Sequence, residues 1–209
     1  SPAVTRWEYD PATGYVLRKV DAKGKAISYT YTPEGYLSKR TWARGVSATY
    51  SYDSIGRVSD IDYSDTTPDV AFSYTRAGQV TSVSSGTVPR YTHTYTYSPI
   101  GQILKEAIST RVDRTLTRRY NAGPAAGGAG RYTGMTLSST AGGVLHELNL
   151  GFDGAGRINQ VSSPAGVYSY SRVDSSSLLA SVQGPVHRVT LGYEPHRDLM
   201  VSRSNEVAS

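Results

Sequence analysis

Apolar and polar side chains alternate with a period of two through much of this chain. Ile27, Tyr29 and Tyr31 fall on one side, with Ser28 and Thr30 on the other. Tyr50 and Tyr52 flank Ser51, and Tyr168 and Tyr170 flank Ser169. Residues 91–97 read Tyr-Thr-His-Thr-Tyr-Thr-Tyr, rings against threonines. This period predicts β-strands, because successive side chains of a strand leave on opposite faces.

The alternating runs end in a common punctuation: an aromatic residue, Asp or a small polar residue, two variable positions, Gly, a polar or ring residue, and an aliphatic one. It reads Tyr52-Asp53-Ser54-Ile55-Gly56-Arg57-Val58 and Phe152-Asp153-Gly154-Ala155-Gly156-Arg157-Ile158. Looser copies run Tyr31 to Gly35, Tyr74 to Gly78 and Tyr97 to Gly101, and Tyr9-Asp10 reaches Gly14 with one extra residue. The leading aromatics Tyr9, Tyr31, Tyr52, Tyr74, Tyr97 and Tyr120 are 22, 21, 22, 23 and 23 residues apart. With weaker copies, repeats begin near 9, 31, 52, 74, 97, 120, 152, 170 and 193, in one repeat segment spanning 1–209. Such regularity marks a repeat architecture.

Each repeat reads as two strands and two turns. In the first turn the Asp carboxylate (Asp10, Asp53, Asp153) can accept bonds from amides two residues on. The Gly (Gly14, Gly35, Gly56, Gly78, Gly101, Gly156) supplies a positive φ. A second turn follows about ten residues later, as at Asp21-Ala22-Lys23-Gly24 and Ser163-Pro164-Ala165-Gly166. The fold class expected is all-β: an antiparallel meander of repeated hairpins, curled into a spiral sheet or partial shell. After the Gly, aliphatics at i and i+3 (Val58/Ile61, Val80/Val83, Ile158/Val161) break strict alternation and predict a bulge or sharp twist. The period lapses between Tyr120 and Phe152, where the Gly/Ala stretch 121–130 reads as a flexible loop.

Composition supports the strand reading. Tyr numbers 17 against 2 Phe, so nearly every large ring carries a hydroxyl. β-branched and aromatic residues suit half-buried pleated surfaces, which argues against helical bundles. No apolar run approaches the ~18–20 residues of a transmembrane helix, so no membrane span is expected. The start, Ser1-Pro2-Ala3-Val4, has no basic segment followed by an apolar one, so no signal peptide is read there. The absence of Cys removes disulfides and thiol chemistry. Net charge is +5, with 17 Arg among 22 basic residues, but they are scattered apart from Arg111, Arg114, Arg118 and Arg119. Nucleic-acid binding is therefore not expected.

The candidate chemistry is sparse. Gly-x-Ser-x-Gly and Ser-x-x-Lys nucleophile motifs are absent, and no enzymatic activity is expected. Asp60/Asp62 and Asp65/Asp69 sit beside predicted turns and read as turn and solvent residues rather than a glycosidase pair. His187 and His196, with Glu194 and Asp198, would need cross-strand registry to hold a metal, and no metal or cofactor is expected. The rings read first as a stacked ladder within the sheet. Trp7 and Trp42 are the best candidates for the rival reading, a glycan-binding platform.

Tyr-Asp-x-x-Gly-Arg-aliphatic at this spacing resembles the YD repeat of bacterial RHS proteins, of the C components of ABC-type insecticidal toxin complexes, and of teneurins. The resemblance covers essentially the whole chain and is sharpest at Tyr52–Val58 and Phe152–Ile158. It implies a long β-sheet wound into a hollow shell, secreted or at the cell surface of bacteria, enclosing a polypeptide such as the parent chain's C-terminal toxin. Its partners would be flanking repeats or an enclosed segment of the same or another chain, with a cell-surface glycan as the alternative. Closed shells of that family use more repeats than this sequence holds, which implies a fragment or a short member. The Asp-Pro plug at which such shells cleave themselves has no match here, so neither cleavage nor toxicity is assigned.

Overall fold

The computed structural model describes residues 3–86, 91–109, 112–121, 130–139 and 141–207. Eighteen strands, all paired antiparallel, form one sheet, with no helix among the described residues. The all-β meander read from the alternation is what the chain forms. Most of the predicted loop at 121–130, namely 122–129, lies outside the described residues, as does Arg111.

The chain divides into two compact units. The first, Ser1–Tyr95 with Ile108–Val112, holds β1 (Arg6–Tyr9), β2 (Val16–Val20), β3 (Ala26–Tyr31), β4 (Leu37–Thr41), β5 (Ser47–Tyr52), β6 (Val58–Tyr63), β7 (Val70–Tyr74), β8 (Val80–Ser85) and most of β9 (Tyr91–Tyr97). Each of these strands pairs with the next. The second, Thr96–Ala107 with Asp113–Ser209, holds most of β10 (Ile103–Ser109) and then β11 (Arg114–Tyr120), β12 (Tyr132–Ser139), β13 (Val144–Phe152), β14 (Ile158–Ser163), β15 (Gly166–Arg172), β16 (Leu179–Gln183), β17 (His187–Tyr193) and β18 (Met200–Val207). From β11 onward each strand again pairs with its successor.

The i, i+3 aliphatics have the predicted cause. Ser51 pairs with Asp60, yet Tyr52 pairs with Val58, which leaves Ser59 as an extra residue. Ser73/Ser82 and Tyr74/Val80 leave out Thr81, and Gly151/Gln160 and Phe152/Ile158 leave out Asn159. A bulge reverses the alternation locally, so Val58 and Ile61 share a face despite their odd spacing. Asp60 and Asp62 lie within β6 opposite Ser51 and Thr49, farther from a turn than their sequence neighbours suggest.

Register gives each unit two unlike faces. In the first, Tyr29, Arg40, Ala48 and Tyr63 form one cross-strand row and Tyr50, Ile61 and Val70 another. The reverse face carries Thr30, Lys39, Thr49 and Asp62. In the second unit Leu116, Leu137 and His146 align, as do Leu150, Val161 and Tyr168.

Neither face is covered. Among the described residues, Ala48 is the sole buried hydrophobic side chain, and no large side chain is fully buried. Stability therefore comes from ladder hydrogen bonds and same-face side-chain contacts, not from a closed core.

Candidate functional site: the repeat turns and the aromatic face

The first turn of each repeat is built around its Asp. Asp53 Oδ1 accepts from the backbone amides of Ile55 and Arg57, both at 3.0 Å. Asp53 N donates to Arg57 O at 2.8 Å, and Gly56 N to Asp53 O at 3.0 Å. Gly56 has φ +83°, which closes the turn. The backbone amide of Arg57, foremost, holds the Asp53 carboxyl below its ordinary range, with the guanidinium adding to the effect. Asp153 repeats this arrangement with Ala155 and Arg157 at 3.0 and 2.9 Å. Asp10 accepts from Ala12 N, Thr13 N and the Thr13 hydroxyl. Where Thr or Ser replaces Asp, the hydroxyl takes over: Thr32 accepts from Tyr36 N, Thr75 from Gln79 N and Ser98 from Gln102 N. Gly14, Gly35, Gly78, Gly101 and Gly156 have φ between +74° and +88°.

The residue after the Gly couples one repeat to the next, a role the sequence reading left unassigned. Arg57 Nε donates to Asp53 Oδ2 at 2.6 Å, and its Nη1 reaches the backbone carbonyl of Thr75 in the following turn at 2.9 Å. The guanidinium lies 4.6 Å from the centre of the Tyr74 ring. Arg157 likewise binds Asp153 and donates to Ser176 O at 2.6 Å. Gln102, at the same place, donates to Gly130 O at 2.6 Å. Tyr15 and Tyr36 use ring contact instead, packing on Tyr31 and Tyr52 with centroids 4.7 and 4.9 Å apart. Their hydroxyls sit where a Cβ on Gly35 or Gly56 would be. The signal was the polar or ring identity of that position, repeated after every Gly.

The leading aromatics explain why Tyr outnumbers Phe. The hydroxyl of Tyr31 donates to Val16 O at 2.9 Å, that of Tyr52 to Leu37 O at 2.7 Å, and that of Tyr74 to Val58 O at 2.7 Å. Tyr120 and Tyr193 reach Ile103 O and Leu179 O. Three of these acceptors face the previous repeat's leading position: Val16 pairs with Tyr9, Leu37 with Tyr31, Val58 with Tyr52. The bulge disturbs the ladder there, and the next repeat's phenol supplies a donor. Burial, foremost, raises the phenol pKa of Tyr31 and Tyr52. Tyr9 is 58% exposed at the first strand. Phe152 has no hydroxyl and instead lies under Arg131, 4.8 Å from guanidinium to ring centre.

Arg172 holds the aromatic's place in its own repeat. It pairs with Leu179 across the bulge, as Tyr52 pairs with Val58, and its Nη2 donates to Ile158 O at 3.3 Å. That carbonyl belongs to the residue paired with Phe152. The visible Tyr170 lies two residues earlier, within the ladder opposite Val182.

Trp7 and Trp42 lie toward one end of the first unit's ring-bearing face, with Lys19 and Ile27 between them. Trp7 pairs with Lys19 and Lys19 with Ile27. Trp42 follows Thr41, whose partner is Ser28. Lys19 Nζ lies 5.4 Å from the Trp7 ring centre, and the Arg40 guanidinium 4.7 Å from that of Trp42. Tyr63 stacks on Trp42 at 6.4 Å. A depression of about 480 Å³ opens at the Trp42 side of this row, lined by Lys19, Asp21, Lys25, Ile27, Trp42 and Arg44 among others, with Trp7 outside it. Among the described residues no three His, Cys, Asp or Glu side chains cluster in a way that could hold a metal ion, and no helix is long and apolar enough to cross a membrane.

No family model and no curated protein matches the chain. Solved structures align along nearly its whole length. A TcdB2–TccC3–Cdc42 crystal structure matches at 16% identity and TM-score 0.49, covering 98% of this chain and 12% of that one. The Photorhabdus luminescens Tc holotoxin pore carrying TccC3-D651A gives 16% and 0.48 over the same shares. A porin-like protein from Bacteroides uniformis gives 10% and 0.28 over 99% of both chains. The chain thus spans about an eighth of the toxin chains it aligns with.

Proposed function

We propose that this chain is a non-enzymatic segment of a YD-repeat β-shell that encloses, carries or presents a polypeptide, such as a toxin segment of the same or a partner protein. The carrying observation is that successive repeats are coupled by side chains while an aromatic face stays uncovered. Arg57 and Arg157 anchor their own turn and the next, and five tyrosine hydroxyls tie leading positions to the preceding repeat. Such coupling extends a sheet by identical steps and gives no repeat a core of its own. A sheet with half-exposed rings gains most by being covered. The site of action is then the secreted or cell-surface setting of bacterial shells, and flanking repeats would extend the sheet by further strand pairing.

The test is limited proteolysis of an unfolded reporter polypeptide mixed with the full chain. Slower reporter cleavage, with the chain itself left intact, is the expected result. Cleavage at the free-reporter rate, together with no detectable association, overturns the proposal.

A second reading, a surface module for carbohydrate, is favoured by Trp7, 48% exposed beside Lys19. Glycan binding that is lost in Trp42→Ala would select it.

A further inference from the structure

We infer that the Trp7–Lys19–Ile27–Trp42 row is a docking site for an acidic polypeptide segment, its carboxylates meeting Lys19, Lys25 and Arg40 and its apolar side chains lying on the rings. This deepens the containment reading and rests on it.

The inference comes from an asymmetry between the two faces of the first unit. Strand positions on the ring-bearing face hold Lys19 and Arg40 and no carboxylate. The reverse face is mixed: Glu8 binds both Arg6 and Arg18 at 3.2 Å, and Asp60 and Asp62 balance Lys39. On the ring face Lys19 lies over Trp7 and Arg40 over Trp42. Neither these two nor Lys25 has a carboxylate partner among the described residues, and Arg40 Nε is buried without an acceptor. Asp21 lines the depression, but its Oδ1 accepts the Lys23 and Lys25 amides at 2.9 and 2.8 Å. Arg44 also lines the depression but is paired with Asp65 at 3.8 Å.

An occupant that covers these rings also strips water from the cations. Unless it brings acceptors of opposite charge, that desolvation opposes binding, so the face discriminates by charge as well as by apolar contact. The row spans three inter-strand gaps of ~4.8 Å each, a distance that about four extended residues match.

Trp7 and Trp42 are the chain's two tryptophans, so intrinsic fluorescence reads this site directly. The full chain is titrated with a soluble Glu/Leu/Gly peptide, its Lys/Leu/Gly counterpart, and an oligogalacturonate. The expected result is a saturable emission shift with the acidic peptide, weakening as salt rises. The basic peptide should bind at least about tenfold more weakly, and K19Q/K25Q should weaken the acidic peptide by about tenfold. Both lysines are exposed, and Arg40→Gln gives an independent check. Equal binding of the two peptides overturns the inference and leaves containment standing. Saturation by the oligogalacturonate alone overturns it in favour of the carbohydrate reading. No peptide binding, combined with unprotected reporter in the proteolysis experiment, removes both.

Discussion

Arg57 and Thr75 are eighteen residues apart, yet Arg57 Nη1 donates to the Thr75 carbonyl at 2.9 Å while its Nε holds Asp53 at 2.6 Å. One guanidinium therefore closes its own turn and fastens the following one, using the fixed fork that distinguishes Arg from Lys. Arg57→Ala should lower Tm by about 2–4 °C. Arg57→Lys should recover little of it, because an ammonium cannot serve both acceptors with that geometry. Arg76→Ala, at a variable position of the next turn, should leave Tm within about 1 °C. Thermal denaturation of the three variants side by side checks this.

Tyrosine hydroxyls at the bulges make a separate contribution. Tyr52→Phe and Tyr74→Phe each remove a donor from a half-buried carbonyl and should cost about 1 kcal/mol in chemical denaturation. Tyr91→Phe, at a β9 position that is 38% exposed, should be near neutral. No loss in Tyr52→Phe and Tyr74→Phe would show that ring packing, not the hydroxyl bond, is what these positions contribute.

Arg172 allows the equivalence of repeats to be tested by replacement. Because it stands at the leading-aromatic position and reaches the matching carbonyl, Arg172→Tyr should keep or raise Tm. Arg172→Leu should lower it, since it leaves Ile158 O without this donor. A loss in the Tyr variant as large as in the Leu variant would end the equivalence.

The turn glycines should not be equally sensitive. A Cβ at Gly56 meets both a positive φ and the Tyr36 hydroxyl, whereas at Gly14 nothing lies within 4 Å. Gly14→Ala should cost about 1 kcal/mol from φ alone, and Gly56→Ala clearly more. Pairing Gly56→Ala with Tyr36→Ala should recover part of the difference, read as a coupling energy in a double-mutant cycle.

Stability should be bounded on both sides of neutral pH. The carboxyls of Asp53 and Asp153 are held low, first by the amides of Arg57 and Arg157. Their contribution is therefore complete above the unfolded-state value of about 4 and is lost as pH falls through the lower folded value. The phenols of Tyr31 and Tyr52 are raised, chiefly by burial. Theirs is complete below about 10 and is lost as pH rises through the folded value. Tm should be flat from about pH 5 to 9, with Asp53→Asn weakening the acid limb and Tyr52→Phe the alkaline one.

Strand identity, hairpin order and the bulges were all legible along the chain. Alternation, Asp-x-x-Gly turns and i, i+3 aliphatics are local signals, set by backbone sterics within a few residues. Tertiary structure decided what crosses between repeats: Arg57 on Thr75, the Tyr52 hydroxyl on Leu37 O, Tyr36 over Gly56. It also decided that Arg172, rather than the more conspicuous Tyr170, stands in the aromatic's place. Those pairings depend on register and on side-chain reach over fourteen to twenty residues, and no short-range periodicity encodes either. The same holds for the cationic row at Trp7 and Trp42. Four paired strands bring Lys19, Ile27 and Arg40 beside the two tryptophans, and in the linear chain the two cations read only as scattered charge.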